Sequence, residues 1–172
     1  MRVGGEADRW VDASTREEAI EAYTALIADD EPHVLLGGGS NTVASDEPFE
    51  GTVLRIRTSG VAVLPAAERR TRPAGDEEPD DASIVIRVEA GESWDALVAR
   101  TVAEGWAGIE ALSGIPGSTG AAPIQNIGAY GAEVADVLVS VELLDRATGE
   151  LTHVPAEDLE LGYRTSVLKR HG

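Results

Sequence analysis

Apolar residues fall at two different periods along this chain, and the alternation between them maps out its elements. Ala19, Ile20, Tyr23, Leu26 and Ile27 recur at the three-and-four spacing of a helix with one packed face. Ser14 and Thr15 precede that run, with Glu17 and Glu18 three residues on, the reciprocal pairing that caps a helix start; Asp29, Asp30 and Pro32 end it. Ahead of this helix, Arg9 to Ala13 reads as a strand. After it, Val34, Leu35 and Leu36 form a short apolar run that breaks into Gly37, Gly38 and Gly39. Phe49 to Val63 holds the alternating segment Thr52 to Arg57, with Arg55 and Arg57 on one side, and Ile84 to Val88 gives another strand. Ser93 caps a second helix whose inward face is Trp94, Leu97, Val98, Thr101 and Val102, with Gly105 as its stop, and Trp94 reads as a core residue. Further on, Ala132 to Val137 is predicted as a helical turn. Val137, Val139, Val141 and Leu143 alternate through a strand, Leu151 to Val154 returns antiparallel, and Pro155 to Leu159 is a short helix before LGYRTSVLKR. Strands and helices alternate with a substantial antiparallel part, which predicts an α+β fold.

Two stretches break these periods. The first is Gly37, Gly38, Gly39, Ser40, Asn41, a strand running into a turn whose amides are free to face a ligand, or else an ordinary strand-connecting turn. It is neither a dinucleotide fingerprint, since Thr42 stands where the third glycine is needed, nor a P-loop, since no Gly-Lys-Ser/Thr follows. The second runs from Gly108 to Gly131, GIEALSGIPGSTGAAPIQNIGAYG. Its only acidic residue is Glu110, and Ile109, Leu112, Ile115 and Ile124 alternate with glycines as though one side were packed. Surface loops of that length usually carry more charge, so this one reads as a backbone surface for a bound ligand.

The 172 residues hold 31 acidic and 14 basic side chains, a formal net charge of −17, and the basic set is arginine except for Lys169. That field argues against nucleic acid or an anionic membrane as partner, and it suits a surface that stays hydrated in concentrated salt. An anionic ligand remains possible where amides and a few arginines are local. With no cysteine, disulfides, thiolate catalysis and cysteine-bound metal are excluded. Neither a basic start followed by an apolar run nor a stretch of membrane-spanning length is present, which predicts a cytoplasmic protein. Residues 64 to 82 read as a solvated loop between strands, its arginines answered by the acidic run that follows.

LLGGGSN, the long glycine stretch and GYRTSVLK, in this order, resemble the UDP-N-acetylenolpyruvoylglucosamine reductase (UDP-N-acetylmuramate dehydrogenase) family, and the resemblance begins at RVGG. It implies the FAD-binding fold of the vanillyl-alcohol-oxidase (PCMH) type, with two α+β subdomains, here residues 1–60 and 61–172. It also implies non-covalent FAD, NADPH as reductant and UDP-N-acetylglucosamine enolpyruvate as substrate. On this resemblance Gly37, Gly38, Gly39, Ser40 and Asn41 lie along the FAD pyrophosphate. Gly114, Ile115, Pro116, Gly117, Ser118, Gly120 and Ala121 line the flavin, as do Gln125, Asn126, Gly128, Ala129, Tyr130 and Gly131. Tyr163 and Arg164 meet the substrate, Arg164 as the catalytic arginine, and Thr165 stands where the family carries aspartate. A C-terminal substrate domain bearing a proton-donating serine and a glutamate is implied as well. The expectation for these 172 residues is therefore the flavin-binding part with one catalytic arginine. A non-catalytic flavin-binding relative, or a different flavin oxidoreductase of the same fold, is the alternative.

Overall fold

The computed structural model describes residues 4–65, 83–145 and 148–171; the predicted loop of residues 64 to 82 therefore lies almost wholly outside the described residues. The chain opens with strand β1 (Ala7–Ala13), helix α1 (Arg16–Ala28), strand β2 (His33–Leu36) and strand β3 (Phe49–Ile56). These strands form a parallel sheet in the order β1-β3-β2, with Val11 opposite Leu54 and Leu35 opposite Leu54 on its other side. The capping box falls on Thr15, whose side chain accepts from the Glu18 amide while the Glu18 carboxylate takes the Thr15 amide. Parallel strands need a crossover, and α1 supplies it. Its Tyr23 and Leu26 pack with Ala13 and Leu54 into one buried cluster, the Tyr23 ring meeting His33 edge-on with centroids 5.5 Å apart. Each of the larger side chains so buried contributes roughly 1.5–3 kcal/mol.

The chain carries the alternating segment predicted at Thr52 to Arg57 in β3, as far as Ile56. It leaves the first sheet after Ile56 and resumes as β4 (Val61–Val63), which pairs antiparallel with β5 (Ile86–Val88). Thr58 marks the break: its hydroxyl accepts the Gly91 amide, drawing the chain toward the turn before the next helix. That helix, α2 (Trp94–Ala103), is capped by Ser93, and Trp94, Leu97, Val98 and Thr101 are buried. Val102 is not: it is 56% exposed, because the inward arc of α2 is only wide enough for the other four. Trp94 is core, its indole N–H donating to the Leu112 carbonyl at 3.1 Å.

Around Trp94, Leu97 and Val98 gather Ile109, Leu112, Ala122, Ile127 and Val134, a second buried cluster on the far side of the break. The glycine stretch is thus packed on one side, as its alternation predicts, with the exception of Ile124, which is 42% exposed. It folds as three single 3₁₀ turns (Glu110–Leu112, Thr119–Ala121, Pro123–Gln125) and a minimal hairpin of β6 (Gly128–Ala129) and β7 (Ala132–Glu133). The predicted helical turn at 132–137 is β7 followed by a 3₁₀ turn at Val134–Asp136. The antiparallel pair β8 (Ser140–Leu144) and β9 (Leu151–Pro155), the turn Ala156–Leu159 and helix α3 (Val167–His171) complete the chain. Leu144 packs against the first cluster, and Arg16 at the start of α1 donates through Nε and Nη2 to Glu142 at 2.9 and 2.8 Å. The last hairpin therefore packs on the first cluster.

Candidate functional site

The two irregular stretches, some 80 residues apart in sequence, meet face to face. A Cβ added at Gly38 would lie 3.1 Å from the Gly117 Cα, and one at Gly37 would lie 2.5 Å from the Ser118 hydroxyl. Ser40 donates its hydroxyl to the Pro116 carbonyl at 3.3 Å, and the Asn41 amide reaches the Gln125 side-chain oxygen at 3.5 Å. Only bare backbone permits this approach, and Gly39, Gly114 and Gly117 also take φ of +67°, +78° and +125°, where an L side chain is strained. Among the described residues, the amides of Gly38, Gly39, Ser40 and Asn41, with those of Gly117 and Ser118, donate to no acceptor in the chain. Uncommitted N–H groups on two adjoining bends are donors suited to an anion, without any lysine.

Acidic side chains hold this backbone in shape from behind. Asp95, in the first turn of α2, accepts the Gly114 amide at 2.7 Å, and Glu110 accepts the Gly108 amide at 2.6 Å. The Glu110 carboxyl titrates below its ordinary value because backbone amides, its own first and that of Gly108 next, favour its charged form. The Glu92 carbonyl takes both the amide and the hydroxyl of Thr119. Sequence alone did not single out Asp95 or Glu92; the one available signal was that both flank the capped start of α2.

The structure places the other predicted site residues less uniformly. Gly120 is pressed against Ala90, where an added Cβ would come within 2.7 Å of the Ala90 Cβ, so its lack of a side chain serves packing; Ala121 beside it is exposed. Asn126 is the clearest departure from the expected lining. It is 0% exposed at φ +43°, its Nδ2 donates to Glu133 at 2.8 Å and to the Gly162 carbonyl at 3.1 Å, and its Oδ1 accepts the Ala135 amide at 3.0 Å. A side chain so committed joins three segments and offers a ligand nothing in this conformation.

Through Asn126 the second bend is fastened to the turn bearing Tyr163 and Arg164. Gly162 and Thr165 exchange two backbone bonds of 3.1 Å, leaving Tyr163 and Arg164 as the turn's tip. Arg164 adopts φ +55°, where glycine or asparagine would be at ease. Its Nη2 donates to the Gly128 carbonyl at 2.6 Å, and its guanidinium carbon lies 5.9 Å from the Tyr163 ring centroid. The hairpin carrying Gly128, Ala129, Tyr130 and Gly131 presents a second exposed aromatic: Tyr130 is 95% and Tyr163 85% exposed. Ser166 is buried, its hydroxyl donating to the Ile124 carbonyl at 2.6 Å, which closes this turn onto the glycine stretch.

An amide-lined bend at a strand end, facing a second bend in an α+β frame, with one oriented guanidinium beside it, defines a nucleotide-cofactor-binding domain. The chain belongs to the FAD binding domain family, whose model matches residues 7–155. It is similar to the UDP-N-acetylenolpyruvoylglucosamine reductase of Leifsonia xyli, 53% identical over 99% of this chain and 42% of the relative. The enzyme of the same name from Salinispora arenicola is 44% identical over 99% of this chain and 43% of its own length. Among solved structures, the UDP-N-acetylenolpyruvylglucosamine reductase (MurB) of Thermus caldophilus superposes with a TM-score of 0.65 at 29% identity, covering 95% of this chain and 51% of that one. The chain thus spans less than half the length of the curated relatives it matches, and corresponds to their FAD-binding part. The donor set fits FAD: six uncommitted amides on two adjoining bends suit a pyrophosphate.

Proposed function

We propose that this chain is the FAD-binding portion of an enzyme that reduces the enolpyruvyl ether of UDP-N-acetylglucosamine to UDP-N-acetylmuramate, working in the cytoplasm with NADPH as reductant. Bound FAD supplies the two-electron chemistry. Gly37 to Asn41 and Gly114 to Ser118 would hold its pyrophosphate through backbone amides, with Gln125 and the Gly128 to Gly131 hairpin alongside the rest of it. The reading is carried by one observation: an exposed arginine, held in a left-handed turn, is bonded to the Gly128 carbonyl at the end of the long glycine stretch.

One Nη2 proton of Arg164 is spent on Gly128; the remaining donors form a planar fork free to grip a carboxylate at two points. Adding hydride to one carbon of an enolpyruvyl group drives electrons toward its carboxylate. A fixed guanidinium there stabilises that charge without needing to reorganise, a contribution commonly of about 3 kcal/mol. Tyr163, stacked near the same guanidinium, limits its swing. The proton for the neighbouring carbon, and most contacts to the UDP group, fall to the part of the relatives' length that this chain does not span.

The test is optical. The chain should titrate with FAD to a yellow complex, bleach under NADPH without oxygen, and recover its colour on adding the enolpyruvyl substrate but not UDP-N-acetylglucosamine. Arg164→Ala should keep FAD bound while slowing recovery by about 10² or more. A chain that stays colourless overturns the cofactor reading. One that is reduced but indifferent to the enolpyruvyl compound keeps the cofactor reading and shows that the recovery step needs the part of the relatives' length that this chain does not span.

A further inference from the structure

Thirteen of the 14 basic residues in this chain are arginine, so the single lysine stands out by its chemistry. Lys169 lies in α3, and its Nζ donates to the main-chain oxygen of Arg164 at 3.0 Å. That oxygen receives no donor from the turn itself. Gly162 and Thr165 use their own amides and carbonyls on each other, and among the described residues the Lys169 ammonium is the only donor to the Arg164 carbonyl. The lysine is itself anchored: its amide donates to the Ser166 hydroxyl at 3.3 Å, and that hydroxyl is buried and bound to Ile124.

We infer that Lys169 is a positioning residue for Arg164, its ammonium fixing the left-handed turn from the main-chain side while the Gly128 carbonyl fixes the guanidinium from the other. The inference rests on reading Arg164 as the carboxylate-gripping group. A non-glycine residue at φ +55° is strained and will leave that conformation unless its surroundings hold it. Two polar contacts on opposite sides of one residue do so without filling the space in front of the guanidinium. A compact ammonium with three rotatable donors suits a lone carbonyl, whereas a flat fork suits paired acceptors.

The experiment is nitrogen-15 NMR of the whole chain, following water exchange of the Arg164 guanidinium protons in the parent and in Lys169→Met. Losing the contact should speed that exchange about fivefold, the size of effect an exposed ionic contact supplies. The Asn126 side-chain amide, bonded to the Gly162 carbonyl, should change less than twofold and serves as the internal reference. Acceleration at Arg164 below twofold, or an equal acceleration at Asn126, overturns the inference; the second result would make Lys169 a general prop for this corner. Neither FAD nor substrate is needed. Failure of the optical test above would therefore sink the catalytic reading and leave this measurement standing on its own.

Discussion

Two kinds of bend lie side by side in this molecule. In the first, at Gly37–Asn41 and Gly114–Ser118, the left-handed positions go to glycine, side chains are cleared away and backbone amides are exposed. In the second, at the Ala129–Ala132 hairpin and the Gly162–Thr165 turn, similar φ values of +53° and +55° are forced on Tyr130 and Arg164, and large side chains are exposed. Glycine would relax both of the latter turns. Where a bend carries glycine, its amides are unhindered and its left-handed φ is unstrained. Where a bend has to present a particular ring or cation, the side chain is kept and the backbone strain is held by neighbours. For Arg164 those neighbours are Gly128, Asn126 (through Gly162) and Lys169.

The sharpest way to break this contrast is to put a side chain into the first kind of bend. Gly117→Val places a branched Cβ at φ +125°, 3.1 Å from the Ser40 hydroxyl, and should cost about 3 kcal/mol of stability. FAD affinity should fall by roughly 10² or more through displaced amides. Thermal melts and FAD titration measure both, and retention of parent affinity would mean the bend is not the phosphate site. The reverse exchange is gentler. Tyr130→Gly removes a side chain that is 95% exposed and relieves its left-handed φ, so it should gain about 1 kcal/mol and raise Tm by roughly 2–4 °C. A fall in Tm would show that the ring makes a contact worth more than the strain.

The smallest effect sits in the parallel sheet, where side chains satisfy one another. Arg55 donates to both carboxylate oxygens of Asp12, at 2.7 and 2.6 Å, and with the Trp10 indole holds its pKa down from the ordinary 3.8 to about 2. A carboxyl so depressed contributes stability that is fully present above about pH 4 and is lost as pH falls through about 2. Acid unfolding followed by circular dichroism should therefore lose a small part of its slope between pH 4 and 2 in Asp12→Asn. The same slope in parent and variant would mean that the pair is no stronger in the folded chain.

How much of this was legible beforehand depended on how far the relevant contacts reach. The Thr15 and Ser93 caps, the periodic faces of α1 and α2 and the β8–β9 hairpin were read from residues a few positions apart, and each is found. Val102 was placed on the packed face because periodicity marks a direction and not the width of the space available; it is exposed. The alternation read at Thr52 to Arg57 marked β3 but not where that strand ends, for a related reason. Alternation continues past Ile56, but Thr58 binds Gly91, 33 residues away, and turns the chain into another sheet. Asn126 looked like part of a polar lining within a glycine-rich run. Its burial is set by Glu133, Ala135 and Gly162, all of which lie beyond the run itself.

By itself the sequence determined the class of fold, the helix starts and the two places where the backbone would be bare, because capping, periodicity and glycine's freedom in φ are properties of neighbouring residues. The tertiary structure alone decided that Gly38 meets Gly117, that Asn126 turns inward and that Arg164 sits strained against Gly128. Those outcomes turn on contacts between segments some 35 to 80 residues apart. There the competing demands of packing and hydrogen bonding are settled by the whole chain at once.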